Sequence, residues 1–386
     1  MSRLSRFHRL TMALSLVAVA SCGSSAKTST TTKASTAATT VAAPATTTAT
    51  TTATTTATTT AAPAKTTAAP AGSGSDCAAA KGAVIGYSEP LPDPNFAILE
   101  TVIKADLAKA GATLEAANAN IDPGKQIADI DGLLQKNIKA LLINPVEPNA
   151  VKPGLDRVRA KNVPIIVQET QIGGPYYTNV TSDVEQAAAD GAAYLKEQVK
   201  DGKVGGIDGP PIAEILKRQS DGFTAKSKEI GLTVVDRQTN FFNNQITPDG
   251  GRQIADQWKQ RFADMKGIWT FNDTTALGVA GAVDGTWKPV IASINGQPEI
   301  IPLVKEGKVA VTYDLELVKV GHTLAFAALS AICGQKLPAN IFLPMKRIDK
   351  SNVDQWKSPA DVMKEPFTVK LIDKGGKSYV DMTGKS

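Results

Sequence analysis

The chain is poor in the side chains that carry most enzymatic and metal chemistry. It has two histidines and three cysteines in 386 residues, and one of the histidines, His8, falls within the first ten positions. A Ser-His-Asp triad or a His-rich metal site in the remainder would rest on His322 alone. That residue lies inside an Ala-rich amphipathic segment and reads as a solvated or core histidine. No Gly-x-Gly-x-x-Gly follows an apolar run, and no Gly-rich loop ends in Gly-Lys-Ser or Gly-Lys-Thr, so neither a dinucleotide fingerprint nor a P-loop is indicated. No carboxylate pair is singled out for acid-base work. The expectation is a protein with no catalytic residue, no cofactor and no metal.

Acidic residues are missing from the first 75 positions. Six of the 42 Lys and Arg precede Asp76 and none of the 37 Asp and Glu does, so the pI near 8.9 is a property of the tail. From Asp76 onward the two signs nearly cancel, and a basic face for nucleic acid is not implied.

A long apolar run is also lacking. Leu10 to Ala20 is shorter than the roughly 20 residues that span a bilayer, and Arg3, Arg6 and Arg9 precede it, so residues 1–21 read as a signal peptide. Val19-Ala20-Ser21-Cys22 resembles the lipobox of bacterial lipoproteins, in which the cysteine becomes diacylated and forms the new N-terminus. The alternative is an ordinary secretory signal with Cys22 incidental. Two acyl chains would anchor Cys22 stably. Residues 22–75 are then a linker built from Thr, Ala, Ser and Pro, with too little large apolar surface to offset the entropy of ordering. As a flexible coil it would span roughly 40 Å. Its composition also resembles O-glycosylated stalks.

About 310 residues follow, beyond the size at which one core keeps growing, so two lobes are expected. From Ala83 short β-branched or aliphatic runs alternate with longer amphipathic ones, the signature of βαβ units and parallel sheets. Strands are expected at Ala83–Tyr87, Thr113–Ala117, Lys139–Ile143 and Pro164–Val167 in the first series. A second series places strands at Lys203–Ile207, Leu232–Asp236, Gly267–Phe271, Pro289–Ile294 and Val309–Tyr313. The fold class is α/β, and ligands of open α/β sheets bind beyond the carboxyl ends of the strands. The helix Leu317–Cys333 has an apolar face suited to packing on a sheet. If the chain has returned to the first lobe by then, Cys333 ends near the start of the first strand, beside Cys77, and the two form a disulfide. Two unrelated buried thiols are the alternative.

Amides and carboxylates end the strands: Asn144 after Leu141-Leu142-Ile143, Gln168 and Glu169 after Ile165-Ile166-Val167, Asn272 and Asp273 after Phe271, and Asn295 after Ile294. Such groups offer paired donors and acceptors with no nucleophile, which suits a ligand rich in hydroxyls. Each could equally cap the following helix.

Residues 82 to about 345 resemble the type I periplasmic binding proteins of sugar ABC importers, the ribose-binding group. The resemblance is carried by Gly86-Tyr87-Ser88 through Pro94-Asn95-Phe96, Leu141-Leu142-Ile143-Asn144-Pro145, Asn162-Val163-Pro164-Ile165-Ile166, Thr181-Ser182-Asp183, Asp221-Gly222-Phe223, and Asn272-Asp273 with Ala276-Leu277-Gly278. It implies two doubly wound parallel-sheet lobes joined by a three-strand hinge, with segments 76–181 and 316–343 in the first lobe and 182–315 and 344–386 in the second. Hinge connections are expected near Thr178–Asp183, Tyr313–Glu316 and Ile341–Lys346. By the resemblance, Phe96 and Phe242 (or Phe241) stack on a sugar ring, and Asp93, Asn95, Asn144, Glu169, Gln219, Asn272, Asn295 and Asp314 complete the ligand set. The family's Arg is Gln219 here, its Asp-Arg pair is Glu169-Thr170, and a second-lobe Asp is Asn295, so the ligand itself does not carry over. The implied protein is an extracytoplasmic, lipid-anchored, monomeric solute-binding protein that hands a sugar or polyol to an ABC permease. A ligand sensor for a membrane receptor, a binder of a non-carbohydrate solute and a secreted enzyme are the competing readings.

Overall fold

The computed structural model describes residues 77–211, 214–243 and 245–383. Residues 1–76, on which the signal-peptide, lipid-anchor (Cys22) and linker expectations fall, lie outside the described residues. Among those described, no helix is long and apolar enough to cross a membrane.

The first lobe opens with β1 (Val84–Glu89), α1 (Pro94–Lys109), β2 (Thr113–Asn118), α2 (Pro123–Gln135), β3 (Ala140–Ile143), α3 (Lys152–Ala160), β4 (Ile165–Gln168) and β5 (Thr178–Ser182). Asp93 and Asp122 cap α1 and α2 by accepting from backbone amides, each followed by Pro in the first turn, the arrangement that starts a helix with its orphan donors satisfied. Strand β3 is apolar throughout because helices cover both faces of the sheet. Leu142 belongs to the core shared with Tyr87 and α1, and Leu141 and Ile143 to the core shared with α2 and α3.

The second lobe runs α4 (Val184–Val199), β6 (Lys203–Asp208), α5 (Glu214–Glu229), β7 (Val234–Thr239), α6 (Pro248–Arg261), β8 (Met265–Thr270), α7 (Asp273–Ala282), β9 (Val290–Ala292), α8 (Ile301–Glu306) and β10 (Val311–Asp314). The chain ends with α9 (Leu317–Ile332), β11 (Asn340–Leu343), β12 (Lys346–Asp349), β13 (Leu371–Lys374) and β14 (Lys377–Val380). The first sheet has the order β13-β14-β11-β5-β4-β3-β1-β2 and the second β12-β10-β9-β8-β6-β7. All neighbours are parallel except β12 on β10 and β13 on β14.

Three passages between the lobes share one geometry. The chain leaves the first sheet at the carboxyl end of β5, leaves the second at the carboxyl end of β10, and returns from the carboxyl end of β11 into β12, whose Lys346 pairs with Asp314. The carboxyl ends of the two sheets therefore face each other across the lobes' junction. Strands β2 and β7 form the sheet edges farthest from these passages.

Helix α9 packs Val320, Leu324, Ala327 and Ala328 into the core that holds Ile85 and Tyr87, so it belongs to the first lobe. Gly321 lets it approach α1: a Cβ there would lie 2.8 Å from Val102. The end of α9 thus reaches the start of β1, and Cys77 and Cys333 form a disulfide with Cα atoms 5.8 Å apart.

Two details differ from the sequence reading. The segment 344–386 does not stay in the second lobe: β12 does, but β13 and β14 return to the first sheet, where β14 pairs with β11. A fourth passage therefore lies between Trp356, packed on the second-lobe core, and Phe367, packed on the first. The free edge of β11 and the apolar Tyr379 and Val380 account for the return. Strand β7 begins at Val234 rather than Leu232. Leu232 instead closes the turn after α5, its N–H bonded to the Ser227 carbonyl and its side chain buried.

Candidate ligand-binding cleft

The facing strand ends gather the expected residues from both lobes. From the first lobe, Asp93 accepts from the Asn95 amide at 2.8 Å and sets the start of α1. Asn95 and Phe96 stand on that first turn, with the Phe96 ring tilted toward Tyr87 at a centroid distance of 6.5 Å. Asn144 follows β3, its N–H bonded to the Ser88 carbonyl and its own carbonyl accepting from Gln126 Nε2 at 3.0 Å. Half-buried, Asn144 stands in the next register position beside Glu89, because Ser88 pairs with Ile143.

Glu169 is held within its own lobe. Its φ is +63°, and its carboxylate accepts from Ser182 N–H, Ser182 Oγ (2.8 Å) and Thr181 Oγ1 (3.2 Å). Burial raises its pKa, while the Ser182 bonds and Arg218 oppose that rise. The side chain clamps β4 to the strand that becomes the first passage. Arg218 of α5 reaches the same place from the second lobe, donating to Thr181 Oγ1 at 3.0 Å. Gln171 N–H donates to Glu214 Oε2 at 3.0 Å, a further contact between the lobes.

In the second lobe Gln219 is buried, and its Oε1 has no hydrogen-bond partner. Asn272 caps α7: its Oδ1 accepts from Thr275 N–H at 2.9 Å. The capping role is real for this residue, and it leaves the amide NH2 for other use. Asn295, with φ +124°, extends β9 alongside β10 through its N–H to the Tyr313 carbonyl. Asp314 accepts from Glu316 N–H (2.8 Å) and Trp356 Nε1 (3.0 Å), and burial pushes its pKa up to about 6. Phe242 stands on the loop after β7, at the edge farthest from the passages, and is 37% exposed.

Three supports of these strand ends lie outside the expected ligand set, although Asp273 and Gln168 are among the polar strand ends read from the sequence. Asp273, fully buried, ties α7 to the ends of β9 and β10 by accepting from Ser293 Oγ (2.6 Å), Thr312 Oγ1 (2.8 Å) and Gln297 N–H (2.8 Å). Burial raises its pKa to about 7 against those three bonds. Asp208, at the end of β6, is neutralised by Arg237, whose guanidinium lies 5.2 Å from the Phe223 ring centroid. Tyr87 donates to Gln168 Oε1 at 2.6 Å and locks β1 to β4. The signal for Asp273 was its place directly after a buried strand; the other two depend on pairings between distant segments. Away from the strand ends, a groove lined by Leu134, Gln135 and Ala160 lies between α2 and α3, bridged by the Arg157–Asp131 ion pair.

Residues 88–336 match the family described as periplasmic binding protein domain. The chain belongs to that family. A ribose import binding protein from Bacillus subtilis is 26% identical over 259 residues, which cover 66% of this chain and 83% of that protein. A D-allose-binding periplasmic protein from Escherichia coli is 25% identical over 304 residues, covering 73% and 94%. Among solved structures, a periplasmic ribose ABC transporter protein from Conexibacter woesei superposes with a TM-score of 0.66 at 22% identity, over 74% of this chain and 96% of that one. A solute-binding protein from Bacillus halodurans with bound myo-inositol gives 0.64 at 21%, over 72% and 99%. The periplasmic-binding-protein fold, two parallel-sheet α/β lobes, is shared with both.

Proposed function

We propose that the protein is the extracytoplasmic solute-binding component of an ABC importer, capturing a sugar or polyol between its lobes and delivering it to a permease. One observation carries this reading: three of the passages between lobes leave from strand carboxyl ends, the ends that also carry the amides, carboxylates and aromatics expected to meet a ligand. Family membership and the relatives named for ribose and allose support the ligand class. Contacts made by both lobes exist only when the lobes are closed, so the ligand shifts the population toward the closed form and a permease can read occupancy. The function is binding without turnover, by a single copy of the chain. Cys22 and the linker after it belong to the same reading as a lipid anchor and a spacer.

The test is a thermal-shift and titration series with D-ribose, D-allose, myo-inositol and other sugars and polyols. A ligand that binds only the folded state raises the melting temperature. Phe96→Ala should weaken binding of the hit by about tenfold or more through loss of one stacking face, with the free protein still folded at a melting temperature lowered by the lost packing on Tyr87. Stabilisation by compounds of another class alone would sink the sugar reading. Mass spectrometry of membrane-extracted protein would find two acyl chains on Cys22; a free thiol there would remove the anchor.

A further inference from the structure

Four carboxyl side chains stand at the strand ends around the cleft, and burial raises the pKa of each: Glu89, Glu169, Asp273 and Asp314. Three of them have both oxygens occupied by protein donors. Glu169 takes Thr181 and Ser182, Asp273 takes Ser293, Thr312 and Gln297, and Asp314 takes Glu316 and Trp356. Glu89 differs: it is 4% exposed and its Oε1 has no hydrogen-bond partner.

Its surroundings supply only a partial counter-charge, from Lys104. Asn118 hydrogen-bonds the carboxyl from β2, and Glu100 of α1 stands within hydrogen-bonding reach of it with a like charge, leaving Oε1 without a partner. Lys104, also on α1, is taken by Glu100 at 2.5 Å. Arg218 is held by Thr181 and Arg237 by Asp208. Glu89 is the last residue of β1, beside Asn144 in register and on the sheet face where Tyr87 meets Phe96. An unpaired buried oxygen costs stability until a donor reaches it. In the second lobe the Oε1 of Gln219, 3% exposed, is another acceptor without a partner.

We propose that Glu89 is a ligand-binding residue whose open oxygen takes a hydrogen bond from a protonated amine, so that the preferred solute is an amino sugar or amino polyol. The proposal rests on the sugar-or-polyol reading above. A hydroxyl would fill the oxygen but leave Glu89 and Glu100 facing each other; an ammonium offers three donors and a charge that offsets both.

The experiment is isothermal titration of the intact protein with D-glucosamine, D-galactosamine and scyllo-inosamine, each against its hydroxyl counterpart (D-glucose, D-galactose, scyllo-inositol), and with D-ribose, D-allose and myo-inositol. At least one amine should bind about tenfold or more tighter than its counterpart, a difference of about 1.4 kcal/mol. Glu89→Gln, which keeps the shape, should erase that preference, bringing the amine and its hydroxyl counterpart to within about threefold of each other. N-acetyl-D-glucosamine, uncharged at nitrogen, gives a check that needs no variant: it should bind wild type more weakly than D-glucosamine. Hydroxyl compounds binding as well as the amines, or a preference that survives in E89Q, overturns the inference and leaves the sugar reading standing. Binding by none of these compounds overturns both.

Discussion

The phenol of Tyr379 donates a hydrogen bond of 2.8 Å to the carboxylate of Asp183, fastening the last strand of the chain to the first passage between the lobes. Burial and this bond push the Tyr379 pKa up to about 12. Tyr379→Phe keeps the ring against Phe342 and removes only the bond. The expected loss is about 1 kcal/mol of stability, read from the urea midpoint at unchanged slope. An unchanged midpoint would show that the tail is not held through Asp183.

Asn272 carries two roles that substitution can separate. Asn272→Asp keeps an oxygen for the Thr275 amide and should hold stability within about 0.5 kcal/mol, whereas Asn272→Ala loses the cap and about 1 kcal/mol. Both remove the side-chain NH2 and should weaken ligand binding. Full affinity in Asn272→Asp would take this residue out of the ligand set.

The Cys77–Cys333 disulfide closes a loop with a sequence separation of 256 residues. Replacing both cysteines by serine should cost about 2–4 kcal/mol, and wild type unfolded in the presence of a reductant should match the double variant. A reductant effect on the variant itself would point to some other cause.

Stability should fall with rising pH in the ligand-free protein. The Glu89 pKa is raised from 4.5 to about 7, by burial first and then by Glu100, with Asn118 and Lys104 opposing. A carboxyl whose folded-state pKa is raised binds its proton more tightly in the folded protein, so its contribution is full below pH 4.5 and is lost as pH rises through 7. Asp273, at about 7, and Asp314, at about 6, act with the same sign. Melting temperatures across this window should decline less steeply in Glu89→Gln than in wild type. Equal slopes would mean that Glu89 titrates alike in both states.

The order of elements was legible because buried parallel strands and amphipathic helices write their periods locally. So were the polar strand ends, as Asn144 and Asn272 show: each follows an apolar run directly. What escaped was whatever depends on partners far along the chain. Strands β5 and β11 read as connections because Thr178–Ser182 is polar in composition; they are strands because β4 and β14 pair with them. Nothing local announces that Ser182 folds onto the carboxylate of Glu169. The return of β14 to the first sheet had no local signal either, because an open sheet edge is a property of the assembled lobe.

The disulfide sets a load path. Whatever pulls on the segment upstream of Cys77 meets a covalent branch point before it meets β1, and the force passes through Cys333 into the end of α9. That helix is packed along its length against α1 and the first sheet, so tension is spread over the lobe in shear and does not peel its strands one at a time. If the chain is tethered through Cys22 as proposed, the disulfide lies between that tether and the lobes.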